Sequence, residues 1–180
     1  MRFSSPSSSN CRAGIALGSN LGSSLLHLRR AAAAILSLSS PSRSFAANYS
    51  SSVYRTAPVD CPSDSRHFLN AVIEIGWSSG PEALWEELQR LETLAGRKHP
   101  HPRHAPRPLD LDLLYLSSYQ GIFGPIILPH PKIGCRRFVL APLSDFAPHL
   151  FLFREKKTVR EQLLLLPTFP SVERIEQALL

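Results

Sequence analysis

The sequence predicts an α+β sandwich, a mainly antiparallel sheet with helices on one face and additional C-terminal elements. Three stretches carry that prediction. Residues 67–77, HFLNAVIEIGW, alternate with a period of two. His67, Leu69, Ala71, Ile73 and Ile75 therefore share one strand face, and Phe68, Asn70, Val72 and Glu74 share the other. Residues 78–96, SSGPEALWEELQRLETLAG, place Leu84, Leu88, Leu91 and Ala95 in one helical stripe. Residues 107–116, RPLDLDLLYL, are an apolar run broken by Asp110 and Asp112, and they read as a strand.

The remaining elements follow in order. GIALGSNLG, residues 14–22, reads as a short buried strand and a turn. Gly18 is expected to form the turn, and Ser19, Asn20 or Ser23 to cap the next helix. That helix carries Leu25, Leu28, Ala32, Ile35 and Leu36 at helical spacing and ends near Leu38. The turn has neither the P-loop spacing nor the dinucleotide glycine pattern, so it is read as structural. NYSSSVYRTAPV, residues 48–59, reads as a polar edge strand broken by proline. In the 78–96 helix Pro81 suits the first turn, Glu82 the positive end of the dipole, and Gly96 the stop. Residues 117–121 form a polar turn, and 124–143 hold a short strand, a proline-bounded loop and a helix start. Thr158 and Glu161 mark a capping box and a late helix. The order strand, helix, strand, strand, helix, strand is that of a ferredoxin-like sheet with one face left for a ligand.

Composition bounds the function. The 180 residues are 43% hydrophobic and 19% charged, which suits one globular domain, placed at 14–180. Residues 1–13, Ser-rich with two arginines and no acid, are expected to be a disordered or targeting tail. A cytoplasmic location is expected, with the mitochondrion or another organelle as the alternative. No apolar stretch is long enough for a bilayer, so no membrane role is expected. Three widely spaced cysteines give neither a disulfide framework nor a zinc pattern. A formal net charge of +6 favours anionic partners.

The chemistry concentrates in 97–112. On a strand Asp110 and Asp112 point the same way, ~6.6 Å apart. Their repulsion is on the order of 2–3 kcal/mol at an effective dielectric near 20. Leu109, Leu111 and Leu113 bury the opposite face and fix the register. Protonation, arginine partners or a divalent cation each relieve the repulsion. Magnesium suits one or two carboxylates completed by substrate phosphates. The preceding segment RKHPHPRHAPRP, residues 97–108, is a basic loop with four prolines. Its Arg97, Lys98, Arg103 and Arg107 fit phosphate oxygens. His99, His101 and His104 lack a helical metal-ligand spacing and are read as exposed. Phe68 and Asn70 share a face, where a ring and an amide can hold a flat heterocycle, and Phe138 supplies a second ring.

Together these stretches resemble the 6-hydroxymethyl-7,8-dihydropterin pyrophosphokinase family. The matching pieces are ALGSNLG (16–22), VYRTAP (53–58), FLNAVIEI (68–75), LETLAGR (91–97), RPLDLDLLYL (107–116) and LPHPKIGCRRFVLAPLSDFAP (128–148), in family order. The resemblance implies Mg-dependent transfer of pyrophosphate from ATP to the pterin hydroxymethyl group, with AMP leaving. It implies that Asp110 and Asp112 hold two magnesium ions and, with Arg97 and Arg107, form the catalytic set. Glu92, Arg97, Arg107, His130 and Arg136 would bind ATP. Thr56, Pro58, Val59, Phe68, Asn70 and Phe138 would bind the pterin. A monomer acting on ATP and the pterin, without nucleic acid, is expected. The chain departs from the family pattern at His99, His104 and Ala105, where arginine, tryptophan and glycine are usual, and at Cys135. The altered loop keeps a second reading open, a ligand-binding homologue with weakened catalysis. A basic ferredoxin-like nucleic-acid-binding module is the third. Two acids on the ligand face and the lack of an aromatic–basic RNP pattern weigh against it.

Overall fold

Apolar alternation in four segments builds one antiparallel sheet. A computed structural model describes residues 11–39, 47–57, 66–97, 105–152 and 154–180. In chain order the elements are β1 (Cys11–Ser19), α1 (Ser24–Ser37), β2 (Tyr49–Ser50), β3 (Tyr54–Thr56), β4 (Phe68–Trp77), α2 (Gly80–Leu94) and β5 (Asp110–Leu116). There follow β6 (Gly121–Phe123), β7 (Ile126–Leu128), a single 3-10 turn (Ile133–Cys135) and α3 (Arg137–Leu143). The chain ends with β8 (Phe151–Leu152), β9 (Lys157–Thr158), α4 (Val159–Leu165) and β10 (Val172–Arg174). The sheet has six strands in the order β10-β3-β4-β1-β5, with β2 also on β4. Two small hairpins, β6-β7 and β8-β9, stand apart from it.

The first face carries the main core. Ile15, Leu17, Ala71, Ile73, Ile75, Leu109, Leu111 and Leu113 pack against Leu28, Ala32 and Ile35 of α1 and Leu84, Leu88 and Leu91 of α2. Leu109, Leu111 and Leu113 are each at most 5% exposed. At roughly 1.5–3 kcal/mol per buried leucine, this outweighs the repulsion between the aspartates on the other side of the strand. The register is set by the leucines, as the sequence predicts.

Several expectations need correction. The second face is not left open. Val72, Leu114 and Tyr115 pack there against Val139, Leu140 and Leu143 of α3 and Val159 of α4. The helices therefore lie on both faces, and only one end of the second face stays uncovered. Strict alternation in β5 also fails. Ile15 pairs with Leu113 but Gly14 with Tyr115, so Leu114 is the extra residue of a bulge. The bulge turns both Leu114 and Tyr115 toward α3. The Tyr115 ring lies over Gly14, where a Cβ would come within 2.2 Å of it. The described part of the 48–59 segment, 48–57, holds two short strands, and the sheet edge beside β3 is formed by β10. Cys11–Ala13, expected in the tail, are the first residues of β1, paired with Trp77 to Ile75. Gly18 lies within β1 opposite Asn70 and Asp110 rather than in the turn. The positive φ of the turn, 70°, belongs to Gly22. Ser23 is the N-cap of α1 but makes no side-chain capping bond.

The late helix is as predicted. Thr158 Oγ1 accepts from the Glu161 N–H, and the Glu161 carboxylate accepts from the Thr158 N–H. Among the described residues no helix is long and apolar enough to cross a membrane.

Candidate active site

The uncovered end of the second sheet face brings together Asn70, Asp110, Asp112 and Phe138 of the predicted residues. Directly paired residues of an antiparallel ladder point to one face, so Thr56 with Phe68, and Gly18 with both Asn70 and Asp110, form one surface. A cleft there is lined by Ala16, Gly18, Asn70, Asp110, Asp112 and Phe138. Gly18 opens its floor, since a Cβ would sit 3.3 Å from Asn70 Oδ1 and 3.8 Å from Asp110 Cβ.

Arginines neutralise both aspartates. Asp110 receives Arg97 at 2.6 Å on Oδ1 and Arg107 at 2.8 Å on Oδ2. Arg136 reaches Asp112 Oδ2 at 2.8 Å. These pairs are half-buried, so they are screened less than surface pairs.

Arg97 reaches this site because of how α2 ends. Gly96 has φ 94°, its N–H donates to Thr93 O, and the Arg97 N–H donates to Glu92 O. That is a Schellman turn, and it folds Arg97 back over Glu92. The same guanidinium nitrogen donates to Glu92 Oε1 and to Asp110 Oδ1. Glu92 is 1% exposed, and burial pushes its carboxyl up to about 7. The Leu111 N–H, donating at 2.7 Å, and Arg97 oppose that rise, while Asp110 and Asp112 add to it. Gln89 Nε2 donates to the second oxygen at 3.2 Å.

His130 stands at the start of the loop before α3. Its backbone N–H donates to Leu114 O at 2.7 Å, and its Nδ1 accepts from the Lys132 N–H at 3.1 Å. The proton of the neutral ring is thus on Nε2. Burial lowers its pKa, with Asp112 acting in the opposite sense.

The aromatic half lies beside the charges. The Arg107 guanidinium is 5.7 Å from the Phe68 ring centroid, and Arg136 is 5.7 Å from that of Phe138. Each arginine therefore touches one ring and one aspartate. Asn70 and Thr56 are buried, and Asn70 Nδ2 donates to Thr56 Oγ1 at 2.9 Å. This leaves the Asn70 carbonyl toward Gly18 and the cleft. Pro58, Val59 and the 98–104 part of the basic loop, with His99, His101, Arg103 and His104, lie outside the described residues.

The donor set fits magnesium. Asp110 and Asp112 are partly exposed, side by side on one strand face, and Gly18 leaves room above them. Among the described residues no three His, Cys, Asp or Glu side chains gather to hold a metal alone. Two carboxylates without further protein ligands suit a hard cation that keeps water and phosphate in its shell.

Sequence reasoning missed three contributors. Gln89 supports Glu92 from one helical turn away, a spacing visible in the sequence. Gly18 makes space rather than a turn. Asn20 joins the site through Arg107, with no local signal at all.

Residues 14–148 match the profile of the 7,8-dihydro-6-hydroxymethylpterin-pyrophosphokinase (HPPK) family. The chain belongs to this family. A curated relative from Methylorubrum extorquens, a 2-amino-4-hydroxy-6-hydroxymethyldihydropteridine pyrophosphokinase, is 36% identical over 92% of this chain and 99% of its own. A mitochondrial folate synthesis bifunctional protein of Arabidopsis thaliana is 37% identical over 73% of this chain. The match spans only 22% of that longer protein. Among solved structures, Plasmodium falciparum HPPK-DHPS with pteroate superposes with a TM-score of 0.62 over 89% of this chain and 43% of its own. At 13% identity that likeness speaks to the HPPK fold alone.

Proposed function

We propose that the chain transfers pyrophosphate from ATP to the hydroxymethyl oxygen of 6-hydroxymethyl-7,8-dihydropterin, giving AMP and the pterin diphosphate for folate synthesis. Family membership and the relatives' names support the reaction. The observation that carries it is the pairing of each aspartate with an arginine that also lies over a phenylalanine ring. A phosphate-binding half and a heterocycle-binding half share those two arginines. The strand order, with β1 between β4 and β5, supports a ferredoxin-like reading of the core.

Asp110 and Asp112 would hold magnesium, two ions in this reading, which would supply positive charge beside the ATP phosphates. Arg97, Arg107 and Arg136 pair with the aspartates in the structure, and the same guanidiniums carry the donors that phosphate oxygens accept from. Glu92 fixes Arg97 from below. His130, with its proton on Nε2, and Arg136 complete the nucleotide side. Phe68 and Phe138 stack on the pterin, the Asn70 carbonyl accepts from its amino edge, and Thr56, Pro58 and Val59 line that edge. The hydroxymethyl oxygen bonds to the β-phosphorus as the bond to the AMP oxygen breaks, and the hydroxyl proton passes to solvent water. Arg97 and Arg107 stabilise the charge spread over the transferred group.

The chain acts as a monomer without nucleic acid in this reading. Two acids at the centre of the ligand face disfavour a phosphodiester backbone. The mitochondrial Arabidopsis relative supports the organellar alternative for its location.

The test is Asp112→Ala. It removes a metal ligand and a half-exposed ion pair but no core contact. Turnover falls at least about a thousandfold while the fold, followed by circular dichroism, is kept. Unimpaired Mg-dependent turnover in this variant contradicts the assignment.

A further inference from the structure

The turn after β1 has no part in the reaction as described, yet it holds one of the reacting arginines. The β1-β5 ladder ends at Gly18 and Asp110. Two residues on, the Asn20 N–H donates to Arg107 O at 3.2 Å, and Asn20 Oδ1 accepts from the Arg107 N–H at 2.8 Å. One residue thus engages both backbone groups of Arg107, as an extra ladder rung made half by a side chain. Asn20 is 2% exposed. Among the described residues its Nδ2 has no hydrogen-bond partner. Among the described residues the carbonyl end of the amide is the anchored end, and the anchor is Arg107. Capping α1 does not account for it, since the N-cap is Ser23.

We propose that Asn20 is a positioning residue that sets Arg107 for pyrophosphoryl transfer. From the clamped backbone the Arg107 side chain reaches Asp110 Oδ2 at 2.8 Å and lies over Phe68 at 5.7 Å. Those contacts lie on the phosphate and heterocycle halves respectively. A slide of the Arg107 backbone by about one ångström disturbs both, and errors of that size cost on the order of a hundredfold in rate. Serine is too short to make the same bond. Aspartate keeps the acceptor and puts a second carboxyl oxygen, and with it an ionisable group, in place of the unpartnered nitrogen. The clamp stands on geometry, while its effect on rate rests on the proposed reaction.

Two measurements separate these. The first is amide hydrogen exchange at Arg107 in wild type, Asn20→Ala and Asn20→Asp, which needs no activity. Exchange is expected to quicken at least about tenfold in Asn20→Ala and to stay near wild type in Asn20→Asp. The second is the rate of AMP release from Mg-ATP and the hydroxymethyl pterin, with Arg107→Ala and the double variant Asn20→Ala/Arg107→Ala included. Asn20→Ala is expected to lower kcat about ten- to a hundredfold with KM for ATP changed less than about threefold. Asn20→Asp is expected to recover most of the rate, and the double variant to be no slower than Arg107→Ala alone. If Asn20→Ala does not fold, the Asn20→Asp comparison decides. Unchanged exchange at Arg107, an aspartate as slow as alanine, or multiplying losses in the double variant overturns the proposal. Wild type that releases no AMP overturns the reaction reading instead and leaves the exchange result standing.

Discussion

Glu92 sits where a carboxylate is least at home. It is almost wholly buried, and burial lifts its carboxyl from 4.5 to about 7. The folded chain therefore binds a proton that the unfolded chain releases between those values. Stability falls as pH rises through that window, by up to about 3 kcal/mol, since each pKa unit is worth about 1.4 kcal/mol. Above it, Arg97 and the Leu111 N–H carry the ionised group. Urea midpoints from pH 5 to 8 should decline in wild type and flatten in Glu92→Gln; a slope kept by the variant assigns the proton elsewhere. Gly18 offers a second test. Alanine there meets only the Asn70 amide oxygen closely, at 3.3 Å, so the fold should hold within about 1 kcal/mol. The methyl narrows the cleft, and pterin affinity by calorimetry should drop about tenfold; wild-type affinity contradicts the placement of the pterin on that floor. At this scale Asp110 and Asp112 were legible because side-chain alternation is local. Asn20 was not, because its partner is 87 residues away and polar residues in turns usually serve the turn itself.

Among the elements, β5 shows where pattern reading stops. Leu109, Leu111 and Leu113 follow the period of two, and the aspartates take the other face as expected. The bulge at Leu114 breaks the period, and nothing in LLYL marks it. The cause is tertiary. Tyr115 needs the space over Gly14 and its hydroxyl donates to Glu74 at 2.6 Å, across two strands. The capping box of α4 was legible for the opposite reason, since all its atoms lie within four residues. Losing it should cost about 1 kcal/mol. Thr158→Ala should therefore lower Tm by about 2–4 °C, read by calorimetry, and a larger fall shows that α4 carries more than its own start. It has such a link. Gln162 of α4 donates to Gly134 O at 2.7 Å, in the loop that presents His130 and Arg136. The short β10 was not foreseen, because a three-residue strand at the sheet edge leaves no periodic signature.

For the whole molecule, the sequence order of strands and helices predicts the sheet, while the layering is decided by α3. Its Val139, Leu140 and Leu143 cover the second face beneath Val72 and Leu114 and leave bare only the end that holds the aspartates. The cleft exists because the covering helix is one of only seven residues and starts at Arg137, just past the arginine that pairs with Asp112. An apolar layer thereby closes most of the second face and leaves a small cleft beside the aspartates. The net charge of +6 favours anionic partners. The central claim is that this arrangement moves two phosphates at once rather than one. It is tested most directly by separating the nucleotides formed when the protein meets Mg-ATP and 6-hydroxymethyl-7,8-dihydropterin. AMP should appear in equal amount to the pterin diphosphate, with none when the pterin is left out; ADP as the product, or ATP returned unchanged, contradicts it.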